Sequence, residues 1–225
     1  GKRLFKLISF ISQCLLNLIF PFDERCLSCG DYAEEYLCRK CQGLIRKVEG
    51  VSYLSHEEMN ISVECYSCSY YSYALKQVIL AFKYRRDFCC LEYLTELMKE
   101  YIIANNIYFD IITYVPSDKK SLKKRGFNQS ELLAKKLASK LNKKSASLLG
   151  KRKGALEQKT LGREDRWNNI KDSFYVKEVK IEKANRILIV DDVLTTGATA
   201  YYCARELITS GFFKVTVLTA AKSNV

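Results

Sequence analysis

The sequence predicts an α/β fold: an open, mainly parallel sheet with flanking helices, preceded by a small N-terminal zinc ribbon with four cysteines. Strand-like and helix-like apolar segments alternate over residues 61–225, which is the pattern that builds such a sheet. Residues 186–191 form a nearly continuous apolar run, which suits a strand buried in the middle of a parallel sheet. Two CxxC pairs lie within residues 26–41 and indicate the ribbon.

Length and composition limit the classes of protein. The 225 residues, with a net charge of +12, allow one sizeable α/β domain and a small appendage. Apolar residues at 48% and charged residues at 28% are typical of a folded globular chain, and only 2 Pro exclude a Pro-rich linker. The single histidine, His56, excludes HExxH metalloproteases and lies in a polar stretch that predicts a loop.

Residues 1–22 predict an amphipathic helix, because their apolar side chains recur at helical spacing. We expect this helix to dock on the rest of the protein. The alternative is a helix associated with a membrane surface, which Lys2, Arg3 and Lys6 favour. The apolar stretch 7–20 is too short to span a bilayer, and no small-residue cleavage site follows it. We therefore predict a cytoplasmic protein whose thiols are reduced or bound to metal.

The zinc ribbon is predicted over residues 23–60. Two CxxC pairs, separated by a spacer of eight residues, supply its ligands Cys26, Cys29, Cys38 and Cys41. Each pair offers two thiolates from one tight turn, and four thiolates complete a tetrahedron around Zn²⁺. Four protein ligands leave no open position, so the site is expected to be structural. A redox or coincidental cysteine cluster is the alternative.

A second metal site is left open by four further cysteines: Cys65, Cys68, Cys89 and Cys90. However, residues 65–73 alternate as a strand, and buried free thiols are ordinary core residues.

The rest of the chain predicts one domain over residues 61–225. Apolar spacing predicts helices over residues 75–85, 91–105, 129–141 and 198–209. Strands are predicted over residues 109–115, 174–179, 186–191 and 214–220. Residues 143–172 carry many charges and little periodicity, and they predict a long loop.

The strongest chemical motif follows the buried strand. Asp191 and Asp192 stand at its carboxyl end, where open α/β sheets bind their ligands. A turn and a helix N-terminus come next, with the residues Thr195, Thr196, Gly197, Ala198 and Thr199. Free N–H groups and hydroxyls of such a turn favour a phosphate, and the two carboxylates can accept hydrogen bonds from ribose hydroxyls. The turn has no Lys and is not a P-loop, so the motif predicts a ribose 5-phosphate site. A capped helix after a core strand is the alternative without a ligand.

Further motifs run along nearly the whole chain. They are Phe-Pro-Phe at 20–22, the CxxC pairs, Leu-Ala-Phe-Lys-Tyr at 80–84, Val-Pro at 115–116, Arg-Gly-Phe-Asn-Gln-Ser at 125–130 and Arg-Trp-Asn-Asn at 166–169. Together with the acid pair and its turn, they make the sequence similar to the type I phosphoribosyltransferases. More closely, it resembles the ComF family of competence-associated, phosphoribosyltransferase-like proteins. The resemblance implies a type I phosphoribosyltransferase fold that binds phosphoribosyl pyrophosphate (PRPP).

The resemblance also implies roles for individual residues. Asp191 and Asp192 would be the catalytic pair of the PRPP site. The turn after Val-Pro would receive the pyrophosphate, through Ser117, Lys119, Lys120 and Arg125. A mobile flap would close over the phosphates with Gln158, Arg163 and Arg166. Mg²⁺ would be held mainly by PRPP oxygens and water.

Two classes of function follow from the resemblance. One is DNA uptake during natural competence, with single-stranded DNA and a competence helicase as partners. The basic candidates for contacts to DNA phosphates are Lys119, Lys120, Lys123, Lys124, Arg125, Lys135 and Lys136. The other is an active transferase that moves ribose 5-phosphate from PRPP to an amine or nucleobase. The acceptor and the oligomeric state stay open at this point.

Overall fold

The computed structural model describes residues 24–56, 59–85, 87–152, 167, 170–182 and 185–223. The predicted N-terminal helix and the flap residues Gln158, Arg163 and Arg166 lie outside the described residues. The helices are α1 (Arg39–Gly43), α2 (Tyr73–Leu80), a π-helical segment (Ala81–Arg85), α3 (Phe88–Ala104), α4 (Lys119–Arg125), α5 (Gln129–Lys140) and α6 (Ala198–Thr209). The strands are β1 (Ser52–His56), β2 (Met59–Tyr70), β3 (Ile111–Tyr114), β4 (Lys144–Ser145), β5 (Leu149–Lys151), β6 (Phe174–Val176), β7 (Arg186–Leu194) and β8 (Lys214–Lys222).

The main sheet has six strands in the order β1-β2-β8-β7-β3-β4. β1 and β2 form an antiparallel hairpin at one edge, and every other neighbouring pair is parallel. β5 and β6 form a separate antiparallel pair. β7 lies between β8 and β3 and is buried from Ile187 to Val190, as its apolar run predicts. The predicted open, mainly parallel sheet with flanking helices is confirmed.

Each face of the sheet has its own core. On one face, α2, α3 and α5 pack against side chains such as Ile112, Leu188 and Leu218. On the other face, α6 and the β5–β6 pair cover Ile189 and Val217. Alternate residues of β7 and β8 therefore enter opposite cores, which explains why both strands are apolar without alternation.

The cysteine module, residues 24–50, packs into the core that α2, α3 and α5 form on one face of the sheet. Cys26 and Cys41 belong to that core together with residues of α2 and α3. The Val48 N–H donates to the Cys68 carbonyl at 3.2 Å, which extends β2 pairing into the module. The Tyr101 hydroxyl of α3 donates to the Val48 carbonyl at 3.1 Å. β1 belongs to the main sheet, and the predicted division of the chain at residue 60 stays a prediction.

Three local features differ from the sequence-based expectations. The basic stretch after β3 forms helix α4 instead of a simple turn. Two short strands, β4 and β5, lie in the predicted loop 143–172. His56 ends β1 instead of lying in a loop, and its ring centroid is 5.2 Å from that of Trp167.

The sequence does not predict α4, because none of its residues is buried and it therefore has no apolar periodicity. Its limits are nevertheless local. The Asp118 carboxylate accepts a hydrogen bond from the Ser121 N–H at 2.7 Å, and Gly126 ends the helix at φ +84°.

Within the ranges that the structure describes, no helix is both long enough and apolar enough to cross a bilayer.

Candidate functional site

The acid pair lies at the carboxyl end of β7, as the sequence predicts. The Asp191 Oδ1 atom accepts hydrogen bonds from the Ser130 hydroxyl at 2.6 Å and from the Asp192 N–H at 2.9 Å. Asp192 is only 7% exposed. Ser130 begins α5, where the Asn128 side chain caps the helix by accepting from the Ser130 N–H at 3.1 Å. The start of α5 therefore supplies a donor that holds the first carboxylate.

A lysine holds the second carboxylate. The Lys83 Nζ atom lies 2.8 Å from Asp192 Oδ2, and both side chains are largely buried. Lys83 belongs to the π-helical segment, whose Phe82 ring packs 5.8 Å from the Phe127 ring. The segment 80–84 thus meets the segment 125–130 and β7 at one place. Residues that are distant in the sequence therefore contact both carboxylates of the acid pair.

Burial and charge set the pKa of the pair. Burial, together with the neighbouring Asp192 charge, raises the pKa of Asp191 to about 7, against the opposing effects of the Ser130 hydrogen bond and Lys83. Burial lowers the pKa of Lys83, but Asp192 and Asp191 outweigh it and leave that pKa above its ordinary value. The lysine therefore stays charged beside the two carboxyl groups.

The turn after β7 has the features of an anion site. Gly197 adopts φ +83° and precedes α6 without a side-chain cap of its own, while the Ala198 N–H donates to Thr196 Oγ1 at 3.5 Å. Thr195 is exposed, while Thr196 and Thr199 are half-buried. A Cβ added to Gly197 would lie 2.9 Å from Leu54 Cδ2 of β1. Glycine is therefore favoured for its left-handed dihedral angle, and any larger residue would also require the Leu54 side chain to shift.

The predicted pyrophosphate residues follow β3, which pairs in parallel with β7. Ser117 precedes α4, while Lys119 and Lys120 are exposed in its first turn. Arg125 ends α4 and donates to Gln129 Oε1 at 2.8 Å. Because β3 and β7 end at the same edge of the sheet, these residues share that edge with the acid pair.

Pattern reasoning missed three residues of the site: Lys83, Ser130 and Leu54. Lys83 and Ser130 stand in motifs that carried the family resemblance, but neither motif predicts a contact with a carboxylate. Leu54 is one apolar residue in a short edge strand, and nothing near it in the sequence indicates that it meets Gly197.

The four predicted zinc ligands come together. The sulfurs of Cys26, Cys29, Cys38 and Cys41 all lie within 4.8 Å of one another, and the Cys29 and Cys38 sulfurs are 3.7 Å apart. A tetrahedral Zn²⁺ with bonds of about 2.3 Å needs sulfur separations of roughly 3.8 Å. The cluster could therefore hold a zinc ion with only a small contraction.

The electrostatics of the cluster also fit a cation. Burial opposes ionisation of Cys26, but N–H groups of Cys29, Cys38 and Ser28 lower its pKa to about 6. At Cys29 a hydrogen bond from Asp31 favours the thiolate, yet burial and the three neighbouring cysteines raise the pKa well above its ordinary value. One thiolate thus forms readily, whereas burial and the neighbouring thiols oppose a second one.

The other cysteines do not form a second site of this kind. Among the described residues, the Cys26–Cys41 cluster is the one group of cysteine, histidine and acidic side chains close enough to hold a metal. Cys65 and Cys68 lie in the two different cores on opposite faces of β2. Burial raises the pKa of Cys65 to about 12. Burial likewise raises the pKa of Cys89, which is half-buried at the start of α3 beside Cys90.

The strand order, the acid pair and the hydroxyl-rich turn agree with the fold that the resemblance to type I phosphoribosyltransferases implies, here with a four-cysteine module attached. No protein-family model matches the chain. Competence protein F of Haemophilus influenzae is 26% identical over 227 residues, which cover 90% of this chain and 98% of that protein. Competence protein ComFC of Bacillus subtilis is 23% identical over 202 residues, or 79% of this chain and 80% of that protein. The chain is accordingly similar to two competence proteins over most of its length.

Similarity to phosphoribosyltransferases covers less of the chain. Adenine phosphoribosyltransferase of Natranaerobius thermophilus is 34% identical over 111 residues, which cover 49% of this chain and 60% of that enzyme. Among solved structures, adenine phosphoribosyltransferase from Thermoanaerobacter pseudethanolicus is similar at a TM-score of 0.40 and 16% identity. That similarity covers 81% of this chain and 98% of the other.

Proposed function

We propose that this protein binds PRPP at the edge of the sheet where β7 and β3 end. The observation that carries the proposal is the acid pair, held by Ser130 and Lys83 directly beside the turn 195–199. The carboxylates accept hydrogen bonds from the ribose hydroxyls, and the turn with the start of α6 binds the 5-phosphate. The partial similarity to an adenine phosphoribosyltransferase supports the same ligand.

The pyrophosphate end of PRPP is assigned to the edge formed by β3 and α4. Ser117, Lys119, Lys120 and Arg125 supply hydroxyl and positive groups there. Mg²⁺ accompanies the ligand and is bound mainly by PRPP oxygens and water, as is usual for this ion. The flap residues Gln158, Arg163 and Arg166 complete the site in this proposal.

Calorimetry of PRPP binding with Mg²⁺ tests the site. Asp191→Ala combined with Asp192→Ala should weaken binding at least about 100-fold, since hydrogen bonds to charged groups are worth roughly 1.5–3 kcal/mol each. Glu34→Ala combined with Glu35→Ala is a matched control, because it removes an exposed adjacent acid pair in the cysteine module. Equal affinity of the Asp double variant and the wild type would refute the assignment.

We further propose that the protein takes part in DNA uptake and handles single-stranded DNA. The names of the two competence proteins support this role. Tyr84 is 55% exposed, and both Lys124 Nζ and the Arg125 guanidinium lie 5.6 Å from its ring centroid. An exposed ring among cations is the arrangement that binds an unpaired base and its phosphates.

The structure narrows the candidate DNA surface. Lys135 pairs with Glu131 at 2.6 Å and Lys136 pairs with Glu92 at 2.7 Å, so acidic partners compensate both charges. We therefore assign the DNA contacts to the basic surface, defined as Tyr84 together with the cationic residues of α4, which are Lys119, Lys120, Lys123, Lys124 and Arg125.

Charge reversal tests this surface. Lys123→Glu with Lys124→Glu should reduce both the affinity for a single-stranded oligonucleotide and the steepness of its salt dependence. Lys143→Glu with Lys144→Glu is the matched control, since it reverses two adjacent exposed lysines at the start of β4. Equal losses in both variants would show that net charge, not the basic surface, governs binding. Uptake that survives both the α4 reversal and the Asp double variant would refute the uptake role.

Transferase activity is the competing use of the same PRPP site. In that case PRPP loses pyrophosphate through an oxocarbenium-like transition state, and a nitrogen nucleophile attacks C1 of the ribose. Release of pyrophosphate that depends on an added amine or nucleobase would identify an enzyme. Such release, with uptake unaffected by the α4 reversal, would favour the transferase over the uptake role.

We propose that the four-cysteine cluster carries one structural Zn²⁺. Its four ligands leave no position for a reacting water, so the ion stabilises the module rather than catalysing a reaction. The uptake role also implies a cytoplasmic location, a competence helicase as partner and a contact of the N-terminal segment with the membrane surface. Fractionation of cells and co-purification with the helicase test these last assignments.

A further inference from the structure

Lys83 lies outside the motif that indicates PRPP, yet its ammonium forms an ion pair with the Asp192 carboxylate at 2.8 Å. Its side chain is 18% exposed, so the ammonium has left much of its water for this contact. A surface lysine that paired by chance would keep most of its exposure. We therefore ask which part of the fold places Lys83 beside Asp192.

The π-helical segment, which contains Lys83, accounts for the position of its side chain. π-helical turns are rare and occur frequently at functional sites. The buried Phe82 packs on Phe127, and Tyr84 contacts the cations of α4, so the residues on both sides of Lys83 are held in place. The direction in which Lys83 points is thereby determined.

The charge at the site shows why a lysine is needed. Two adjacent, partly buried carboxylates repel each other and would also repel PRPP, which carries a diphosphate and a 5-phosphate. Ser130 donates a hydrogen bond but no charge. Other groups that act electrostatically on the pair or on Lys83 are Arg125, Tyr71, Cys65 and Cys203.

We propose that Lys83 is a positioning residue of the PRPP site, compensating the charge of the acid pair and orienting Asp192 for a ribose hydroxyl. The ammonium has three donors, and those that Asp192 does not use are free to bind a phosphate oxygen of the ligand. The inference rests on the proposed PRPP binding and adds a residue that the acid-pair motif does not contain.

The test compares Lys83→Met, Lys83→Arg and the control Lys76→Met, an exposed lysine of α2. PRPP affinity with Mg²⁺ is measured from pH 6 to pH 9 as the ratio of variant to wild type, which cancels the titration of the ligand itself. Removing a close opposite charge raises a carboxyl pKa by roughly 1–3 units. Lys83→Met should therefore lose at least about tenfold in affinity near pH 7 and recover part of it by pH 9.

Lys83→Arg should restore most of the affinity, and Lys76→Met should match the wild type. A loss in Lys83→Met that is the same at every pH would overturn the positioning role, and so would unchanged affinity. Thermal unfolding of both Lys83 variants shows whether they fold, and the arginine variant keeps the test valid if the methionine variant does not.

A measurement without ligand separates this inference from the proposed function. Carboxyl carbon NMR shifts give the titration of Asp191 and Asp192 in the free protein, and Lys83→Met should move it to higher pH. If the wild type binds PRPP but this titration does not move, the role of Lys83 is wrong and PRPP binding stands. If the titration moves but the wild type does not bind PRPP, the proposed function fails, and with it the ligand role of Lys83.

Discussion

Two regions of this molecule bring acidic side chains close together. They differ in the source of the positive charge that could compensate them. In the cysteine module, four sulfurs lie within 4.8 Å of one another. At the carboxyl end of β7, two carboxylates stand side by side, and Lys83 pairs with one of them at 2.8 Å. The first region could hold a cation from solution, whereas the second contains its own positive charge in Lys83.

The pKa values show what this difference means. Hydrogen bonds from backbone N–H groups lower the pKa of the Cys26 thiol to about 6 against its burial, yet the neighbouring thiols keep Cys29 protonated. At the acid pair, Lys83 and Ser130 limit the rise that burial causes, and the pKa of Asp191 is about 7. The sulfurs of the first region therefore lack a compensating charge of their own, whereas the carboxylates of the second have one in Lys83.

The largest effect expected from this comparison is loss of the ion. Cys38→Ser should abolish tight zinc binding and destabilise the protein by roughly 5 kcal/mol or more, because structural zinc contributes folding energy directly. For a chain of this size that corresponds to a fall in Tm of roughly 10 °C or more. Metal analysis and thermal unfolding measure both quantities, and the wild type should contain about one zinc per chain.

Cys89→Ser is the control, since Cys89 is half-buried and lies outside the cluster. Because the module packs in the same core as α2 and α3, the Cys38 variant should also lose stability in that half of the sheet. A metal-free wild type that is fully folded would contradict the proposed zinc site.

The next effect concerns the acid pair and depends on pH. The pKa of Asp191 is higher in the folded protein than its ordinary 3.8, so the folded state binds more protons and the wild type loses stability as pH rises from about 4 to 7. Asp191→Asn removes this loss. Relative to the wild type, its free energy of unfolding should rise across that interval by up to roughly 4 kcal/mol and stay level above it.

Thermal unfolding of ligand-free protein between pH 4 and pH 8 measures this difference. Glu178→Asn, at an exposed position, should show no comparable trend. A difference in unfolding free energy between Asp191→Asn and the wild type that does not change with pH would show that the pKa of Asp191 is not raised in the folded protein.

A smaller effect is expected at Gly197. Gly197→Ala should cost roughly 1–2 kcal/mol for the left-handed backbone, and the new methyl group would press on Leu54, 2.9 Å away. Gly211→Ala is a matched control, because Gly211 has φ +91° but nothing within 4 Å of an added Cβ. Calorimetry should show that only the Gly197 variant loses PRPP affinity. Equal affinities would mean that β1 does not shape the turn.

The smallest effect is expected at Ser130. Ser130→Ala removes the hydrogen bond to Asp191 and should raise the pKa of that carboxyl by about one unit, while PRPP affinity near pH 7 falls by roughly two- to fivefold. Ser139→Ala on the exposed side of α5 is the control. An effect as large as that of Lys83→Met would mean that the hydrogen bond, and not the charge of Lys83, governs the acid pair.

The sequence alone was sufficient wherever the necessary residues are neighbours in the chain. β7, the acid pair, the turn and α6 occupy one continuous segment, so the order of strand, acid pair, turn and helix could be predicted. The two CxxC pairs are likewise close, and their spacing indicated a cluster that the structure confirms. Local spacing determines such sites because few other arrangements of a short segment are possible.

The tertiary structure alone decided what completes and tunes the sites. Lys83, Ser130 and Leu54 reach Asp192, Asp191 and Gly197 from other elements of the chain. The motifs that contain these residues have no periodicity from which a contact partner could be predicted. Helix α4 has no buried residue and therefore no apolar pattern that would predict a helix. The parallel order of β7 and β3 and the packing of Phe82 on Phe127 bring these groups to one edge. Which charges meet there depends on three-dimensional packing, because contacts between distant segments leave no repeating pattern in the sequence.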